Sequence, residues 1–121
     1  GLGGAEKSIE HANDTAKILS DIDPDYVGAL TLMLVPHTPM YEDYIAGNFI
    51  LPDKFGFLRE LYLIIANANF TNCYFTANHD SNYLPVKAYL PGDKSKILKV
   101  IGSIIDTKDM SKIRPEYLRG L

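Results

Sequence analysis

The fold of this 121-residue chain is set by one uncharged and largely apolar run, which reads Val27-Gly28-Ala29-Leu30-Thr31-Leu32-Met33-Leu34-Val35. A sharp polar stop follows it, Pro36-His37-Thr38-Pro39. A strand with one face in water alternates apolar and polar side chains, whereas a near-continuous apolar run bounded by turn residues is typical of a strand buried on both faces. The run therefore predicts a central strand of a parallel sheet that is covered by helices.

The segments on either side of this run carry helical signals. We predict helices over residues 7–22, 40–46, 53–68 and 93–106, and a second short strand over residues 73–76. Ser8, Thr38 and Asp93 are the expected N-caps, with Pro39 at a first helical position. The first helix is expected to bury a stripe made of Ile9, Ala12, Ala16 and Leu19. The alternation predicts an α/β fold in which a few parallel strands pack against three long helices.

Two strands and a truncated third are too few for a complete parallel sheet. The missing strands are expected either upstream of Gly1, in a longer protein, or in a second copy of the chain that completes the core. The opening Gly1-Leu2-Gly3-Gly4, without an initiator methionine, favours the interpretation as a fragment. We expect residues 1–121 to form a single domain.

Composition places the chain among ordinary globular proteins, with 46% hydrophobic and 22% charged residues. No apolar stretch approaches the roughly 20 residues of a membrane span, so no membrane contact is predicted. The single cysteine, Cys73, excludes an internal disulfide and predicts a cytoplasmic location.

Charge is distributed unevenly around a net value of −3, because the last third of the chain is basic and the rest is acidic. Nucleic-acid-binding proteins concentrate Lys and Arg more strongly and interleave them with aromatic residues. We interpret the basic third as solvated helix faces, and contact with RNA is only a minor alternative.

Polar or glycine-rich clusters follow three expected strand ends, at residues 1–4, 36–39 and 78–83. In a parallel sheet these ends share one rim, so the clusters are expected to face a common cavity. The structural alternative has equal weight, because every such connection needs turn and capping residues. His79 is a candidate general acid or base, although a lone loop histidine is more often structural.

No metal site is predicted within the chain. His11, His37 and His79 lack the short spacing of a zinc site, and one cysteine cannot complete a thiolate cage. Cys73 lies in an apolar strand and is interpreted as a small core residue rather than a nucleophile.

Several segments of the chain together form a recognisable set of motifs: Gly1-Leu2-Gly3-Gly4 with Ser8, His11-Ala12 and Thr15-Ala16; Pro36-His37-Thr38-Pro39-Met40-Tyr41; Asn78-His79-Asp80-Ser81-Asn82-Tyr83-Leu84-Pro85; Leu90-Pro91; Arg114-Pro115-Glu116; and Arg119-Gly120-Leu121. With these motifs the sequence resembles the C-terminal portion of radical S-adenosylmethionine Fe–S oxidoreductases, in the subgroup similar to oxygen-independent coproporphyrinogen oxidase and the Elongator catalytic subunit. The chain departs from the family pattern in two ways. His37 replaces the usual glycine, and the Cys-x3-Cys-x2-Cys motif that holds the [4Fe–4S] cluster is absent.

The resemblance implies a partial TIM-type barrel whose upstream half carries the cluster and is this chain's principal partner. In such enzymes the cluster reduces S-adenosylmethionine, and the resulting 5′-deoxyadenosyl radical abstracts a substrate hydrogen. Gly3, Gly4, Thr38 and Pro39 would lie near the cofactor. Asn78, His79, Asn82 and Tyr83 would contact substrate or close the cavity. The chain alone would hold no cofactor and would be inactive; a non-catalytic accessory or interaction domain is the alternative.

Overall fold

The computed structural model describes all residues from Gly1 to Leu121 and arranges them as alternating helices and strands. The elements are α1 (Ser8–Ile22), β1 (Tyr26–Gly28), α2 (Pro39–Ile45), α3 (Lys54–Asn67), β2 (Cys73–Thr76), β3 (Lys87–Leu90) and α4 (Lys94–Thr107). Two 3₁₀ turns, Met110–Lys112 and Glu116–Leu118, follow α4. This order confirms the predicted α/β class and the predicted position of each long helix.

The three strands form one sheet in the order β1-β2-β3. β1 runs parallel to β2, with Tyr26 opposite Tyr74, whereas β3 runs antiparallel to β2, with Ala88 opposite Phe75. The expectation of parallel strands alone is therefore wrong, because it did not include β3. Its four residues alternate between exposed and buried, as a strand with one solvent-facing side does.

The predicted central strand over residues 27–35 is also wrong in length and position. Only Tyr26–Gly28 forms a strand, and it lies at an edge of the sheet. Residues 29–35 have no regular structure, and the Leu30 side chain is 63% exposed. An apolar run becomes a central strand only when strands pair with both of its edges, and β2 pairs with one edge only.

The core lies between the sheet and the helices, with α3 packed against both α1 and α4. Phe75 and Cys73 from β2 are fully buried, as are Ile65 of α3 and Ile101 of α4. In α1, the predicted stripe is buried at Ala12 and Ala16, whose small side chains permit close approach to α3. Ile9 is exposed, so its place in that stripe was wrong.

Of the three predicted N-caps, only Thr38 makes the expected side-chain hydrogen bond, and Asp53 is a cap that was not predicted. Thr38 caps α2 by accepting a hydrogen bond from the Tyr41 amide, with Pro39 as the first helical residue, and Asp53 caps α3. Ser8 is already helical and donates its hydroxyl hydrogen bond to Glu60 instead. Asp93 accepts from the Tyr89 amide and makes no side-chain cap for α4.

The face of the sheet away from the core carries a row of tyrosines across all three strands. The ring centroids of Tyr26 and Tyr74 are 5.8 Å apart, and those of Tyr74 and Tyr89 are 4.7 Å apart. Tyr26 and Tyr89 are exposed. None of the helices combines the length and apolar content that crossing a membrane requires.

The core assignment predicts a large difference between two identical substitutions. Ile65→Ala is expected to lower the free energy of unfolding by about 2–5 kcal/mol, because it removes a fully buried side chain. Ile22→Ala, at an α1 side chain that is 64% exposed, is the matched control and is expected to cost less than about 1 kcal/mol. Urea denaturation measures both; equal losses would contradict this core.

Candidate functional site

A cavity of about 390 Å³ lies between α1, α3 and the chain that leaves β1. Most of its lining is apolar, and Gly1, Leu2 and residues 82–84 complete the wall. A few polar side chains face it from three directions: His11 and Thr15 from α1, Glu60 from α3, and Thr31 and Asn82 from the two connections that follow β1 and β2. A mostly apolar cavity with a few polar groups is the usual form of a small-molecule site.

Asn82 joins the two connections that follow the parallel strands. Its Oδ1 accepts a hydrogen bond from the Thr31 hydroxyl at 2.9 Å, and its Nδ2 donates to the Ala29 carbonyl at 3.0 Å. A longer bond of 3.3 Å runs from Nδ2 to the His79 carbonyl. The side chain is buried, so these bonds replace the water it loses. β1 and β2 are joined by backbone hydrogen bonds. Beyond the strands, the Asn82 side chain joins the two connections that follow them.

Tyr83 is buried beside Asn82 and has its hydroxyl fixed by two charged groups. The hydroxyl donates to Glu116 Oε2 at 2.7 Å and accepts from Arg119 at 2.6 Å. Burial raises the pKa of the Tyr83 phenol, and the hydrogen bond to Glu116 raises it further. The phenol is therefore neutral at physiological pH, and the ring presents an apolar surface to the cavity.

The other half of the predicted loop site lies outside the cavity. Asn78 and His79 are exposed, and neither lines the cavity. His79 Nδ1 accepts a hydrogen bond from the Ser81 amide at 3.1 Å, which fixes the turn and leaves the neutral ring's proton on Nε2. The structure thus brings Asn82 and Tyr83 to the cavity and gives His79 a turn-forming contact.

The four residues predicted to lie near a cofactor are not in the cavity wall. Gly4 has a φ of 63°, and a Cβ there would lie 3.0 Å from the Ile50 carbonyl oxygen, so glycine is required for packing against that segment. At Gly3, a Cβ would lie 2.9 Å from the Lys7 carbonyl oxygen. Thr38 and Pro39 start α2, where the Thr38 hydroxyl also donates to the Val35 carbonyl.

Glu60 is the polar cavity residue that sequence reasoning missed. It is buried in the middle of α3, where it accepts hydrogen bonds from the Ser8 hydroxyl at 2.6 Å and from the Gly1 nitrogen. The sequence did contain a signal for this residue. Glu60 lies between Phe57 and Ile64 at helical spacing, so it places a carboxylate on an otherwise apolar helix stripe. His11, Thr15 and Leu19 likewise follow one another at four-residue intervals along the cavity side of α1.

The residues present do not fit an iron–sulfur cluster. Such clusters are held by several Cys thiolates, and the only cysteine, Cys73, is fully buried in β2. Burial raises the pKa of the Cys73 thiol, and the charges of Asp23 and Asp25 raise it further, so the reactive thiolate is disfavoured. No three His, Cys, Asp or Glu side chains are placed to hold a metal ion.

No protein-family model matches the chain, and no match is found among curated proteins or solved structures.

The bonds of Asn82 predict that two asparagines of one loop respond differently to truncation. Asn82→Ala leaves the Ala29 carbonyl and the Thr31 hydroxyl without their partner, and is expected to lower the free energy of unfolding by about 1–3 kcal/mol. Asn78→Ala, at an exposed position in the same loop, is the control and is expected to change it by less than about 0.5 kcal/mol. Denaturant titration compares them, and an equal response would contradict the bridging role.

Proposed function

We propose that the chain is the C-terminal part of a radical S-adenosylmethionine [4Fe–4S] oxidoreductase and forms part of the wall of its cofactor and substrate cavity. The observation that carries this proposal is the convergence of the two parallel-strand connections, joined by Asn82, on one cavity. Ligands of parallel α/β sheets bind at the carboxyl ends of the strands. The sequence motifs that resemble this family include the Asn82 loop.

In this proposal the chain supplies binding surface, and the cluster is held by another part of the same polypeptide. The cavity volume of about 390 Å³ lies within the range of about 300–1,000 Å³ that is usual for small-molecule sites. Its apolar walls would exclude water from a bound organic group. Glu60, His11 and Thr15 would offer hydrogen bonds to hydroxyl or amino groups, while Asn82 and Tyr83 would hold the opposite wall.

The second candidate is an interaction domain, and the open edge of β1 favours it. The Asp25 carbonyl and the Ala29 amide both bond to β2, so the backbone groups of Tyr26 and Gly28 point toward the unpaired edge. Beside this edge the Tyr26 and Leu30 side chains are exposed. An unpaired edge with apolar flanks is a template for pairing with another strand. The added strand would come from the rest of the polypeptide or from a second copy.

The enzymatic proposal is tested on the longer polypeptide that contains these residues, loaded anaerobically with iron and sulfide. We expect an oxygen-sensitive brown protein that cleaves S-adenosylmethionine to 5′-deoxyadenosine, measured by chromatography. Asn82→Ala is expected to slow cleavage about tenfold, equivalent to about 1.4 kcal/mol, and Asn78→Ala is the control. A fully loaded protein that does not cleave S-adenosylmethionine would overturn the proposal.

The interaction alternative predicts self-association of the 121-residue chain through the β1 edge. Sedimentation analysis is expected to show concentration-dependent dimers. Leu30→Lys places a charge beside the edge and is expected to weaken the dimer at least about tenfold, because edge lysines oppose strand pairing. Leu121→Lys, at another exposed leucine, is the matched control. A chain that stays monomeric at every concentration would refute this route of association.

A further inference from the structure

Residues 114–120, which we call the C-terminal strap, lie against the loop formed by residues 79–83. The strap buries little apolar surface of its own, since Tyr117 is 83% exposed and Leu118 is also exposed. Its contacts with the loop are polar, and they include a hydrogen bond of 2.7 Å from the Arg114 amide to the Tyr83 carbonyl. The strap is therefore held by specific hydrogen bonds rather than by general apolar burial.

Arg119 makes the central contacts of the strap. Its side chain is 5% exposed and donates from Nε to the Ser81 carbonyl at 2.8 Å. Another nitrogen of the same guanidinium reaches the Leu32 carbonyl at 3.3 Å, in the connection after β1. The guanidinium carbon lies 4.0 Å from the centre of the Tyr83 ring, and Glu116 supplies the counter-charge at 2.6 Å. One side chain thus joins both connections that meet at the cavity.

Arg114 repeats this pattern on the other side of the loop. It donates to the Asn82 carbonyl at 3.0 Å and to the His79 carbonyl at 3.2 Å, and it pairs with Asp80 at 3.2 Å. Both arginines therefore bind main-chain carbonyls of the segment that carries Asn82 and Tyr83 into the cavity wall. The Ser81 and Asn82 carbonyls accept no other hydrogen bond, and leaving a partly buried carbonyl without a partner is costly, whereas the His79 carbonyl also accepts from the Asn82 amide.

We propose that the C-terminal strap, whose residues lie behind the cavity wall and not in it, holds that wall in place, and that Arg119 is its positioning residue: it holds the Asn82 loop against the connection after β1, and detaching the strap loosens this wall of the cavity. The proposal concerns regulation of the site described above, and it rests on the proposed function only for the identity of the ligand. A planar guanidinium, with donors in a fixed fork, can bond the Ser81 and Leu32 carbonyls together, and a lysine ammonium cannot replace that geometry.

Hydrogen–deuterium exchange on the full chain, without ligand, tests the proposal. The reporters are the amides of Asn82 and Ala29, bonded to the His79 and Thr76 carbonyls. Arg119→Ala and Arg119→Lys are both expected to speed exchange at these amides at least about tenfold, equivalent to about 1.4 kcal/mol of local opening, while amides in α4 keep their rates. Arg59→Ala, at an exposed arginine on α3, is the matched control.

A rescue experiment separates positioning from a general loss of stability. Millimolar ethylguanidinium is expected to slow exchange again at Asn82 and Ala29 in Arg119→Ala, and ethylammonium is not, because only the former has the planar fork. Glu116→Gln, a milder change that keeps Arg119, is expected to speed exchange at the same two amides by a smaller factor. If exchange at these two amides is unchanged in Arg119→Ala, or if it rises uniformly together with exchange in α4, the proposal that the strap holds the cavity wall is wrong. Failure of S-adenosylmethionine cleavage in the loaded parent would overturn only the proposed function.

Discussion

The hydrogen bonding of β2 on both of its edges is the constraint on which the rest of the fold depends. This four-residue strand pairs with β1 on one side and β3 on the other, so it fixes the sheet order. Its Cys73 and Phe75 side chains are fully buried and reach the core beneath α3 and α4. The direction of β1 matters equally for the cavity, because only a parallel pair sends the two following connections to the same end of the sheet.

Local signals predicted the helices because they are contained within a few neighbouring residues. Thr38 followed by Pro39 marks the start of α2, and Asp53 marks the start of α3, whatever lies elsewhere in the chain. The apolar run at residues 27–35 carried no such information about its partners. Its composition favoured burial, yet burial on both faces depends on neighbouring elements that a local pattern does not specify. Ser8 is a second case in which a local pattern was not sufficient. Its hydroxyl donates to Glu60, 52 residues away, and does not cap the helix.

The candidate site was predictable where polar residues directly follow a strand, and hidden where it depends on distant contacts. Asn82 and Tyr83, which line the cavity, were candidates from the sequence because they lie in the polar connection after β2. Arg119 reaches the Leu32 carbonyl across a separation of 87 residues, and no spacing rule connects the two. Glu60 was detectable as a carboxylate on an apolar helix stripe, but its direction into a cavity required the packing of α1 against α3.

The arginine contacts have a consequence for how recognition by this loop could diversify. Arg114 and Arg119 donate hydrogen bonds to the main-chain carbonyl oxygens of residues 79, 81 and 82. Every residue type has such an oxygen, so these bonds do not depend on the side chains at those positions. The exposed side chain of Asp80 is thus largely separate from the contacts that anchor the backbone beneath it, apart from its ion pair with Arg114, whereas the His79 ring itself fixes the turn through the Ser81 amide. A different side chain can be introduced at position 80, by selection or by design, while the backbone that carries it stays in place.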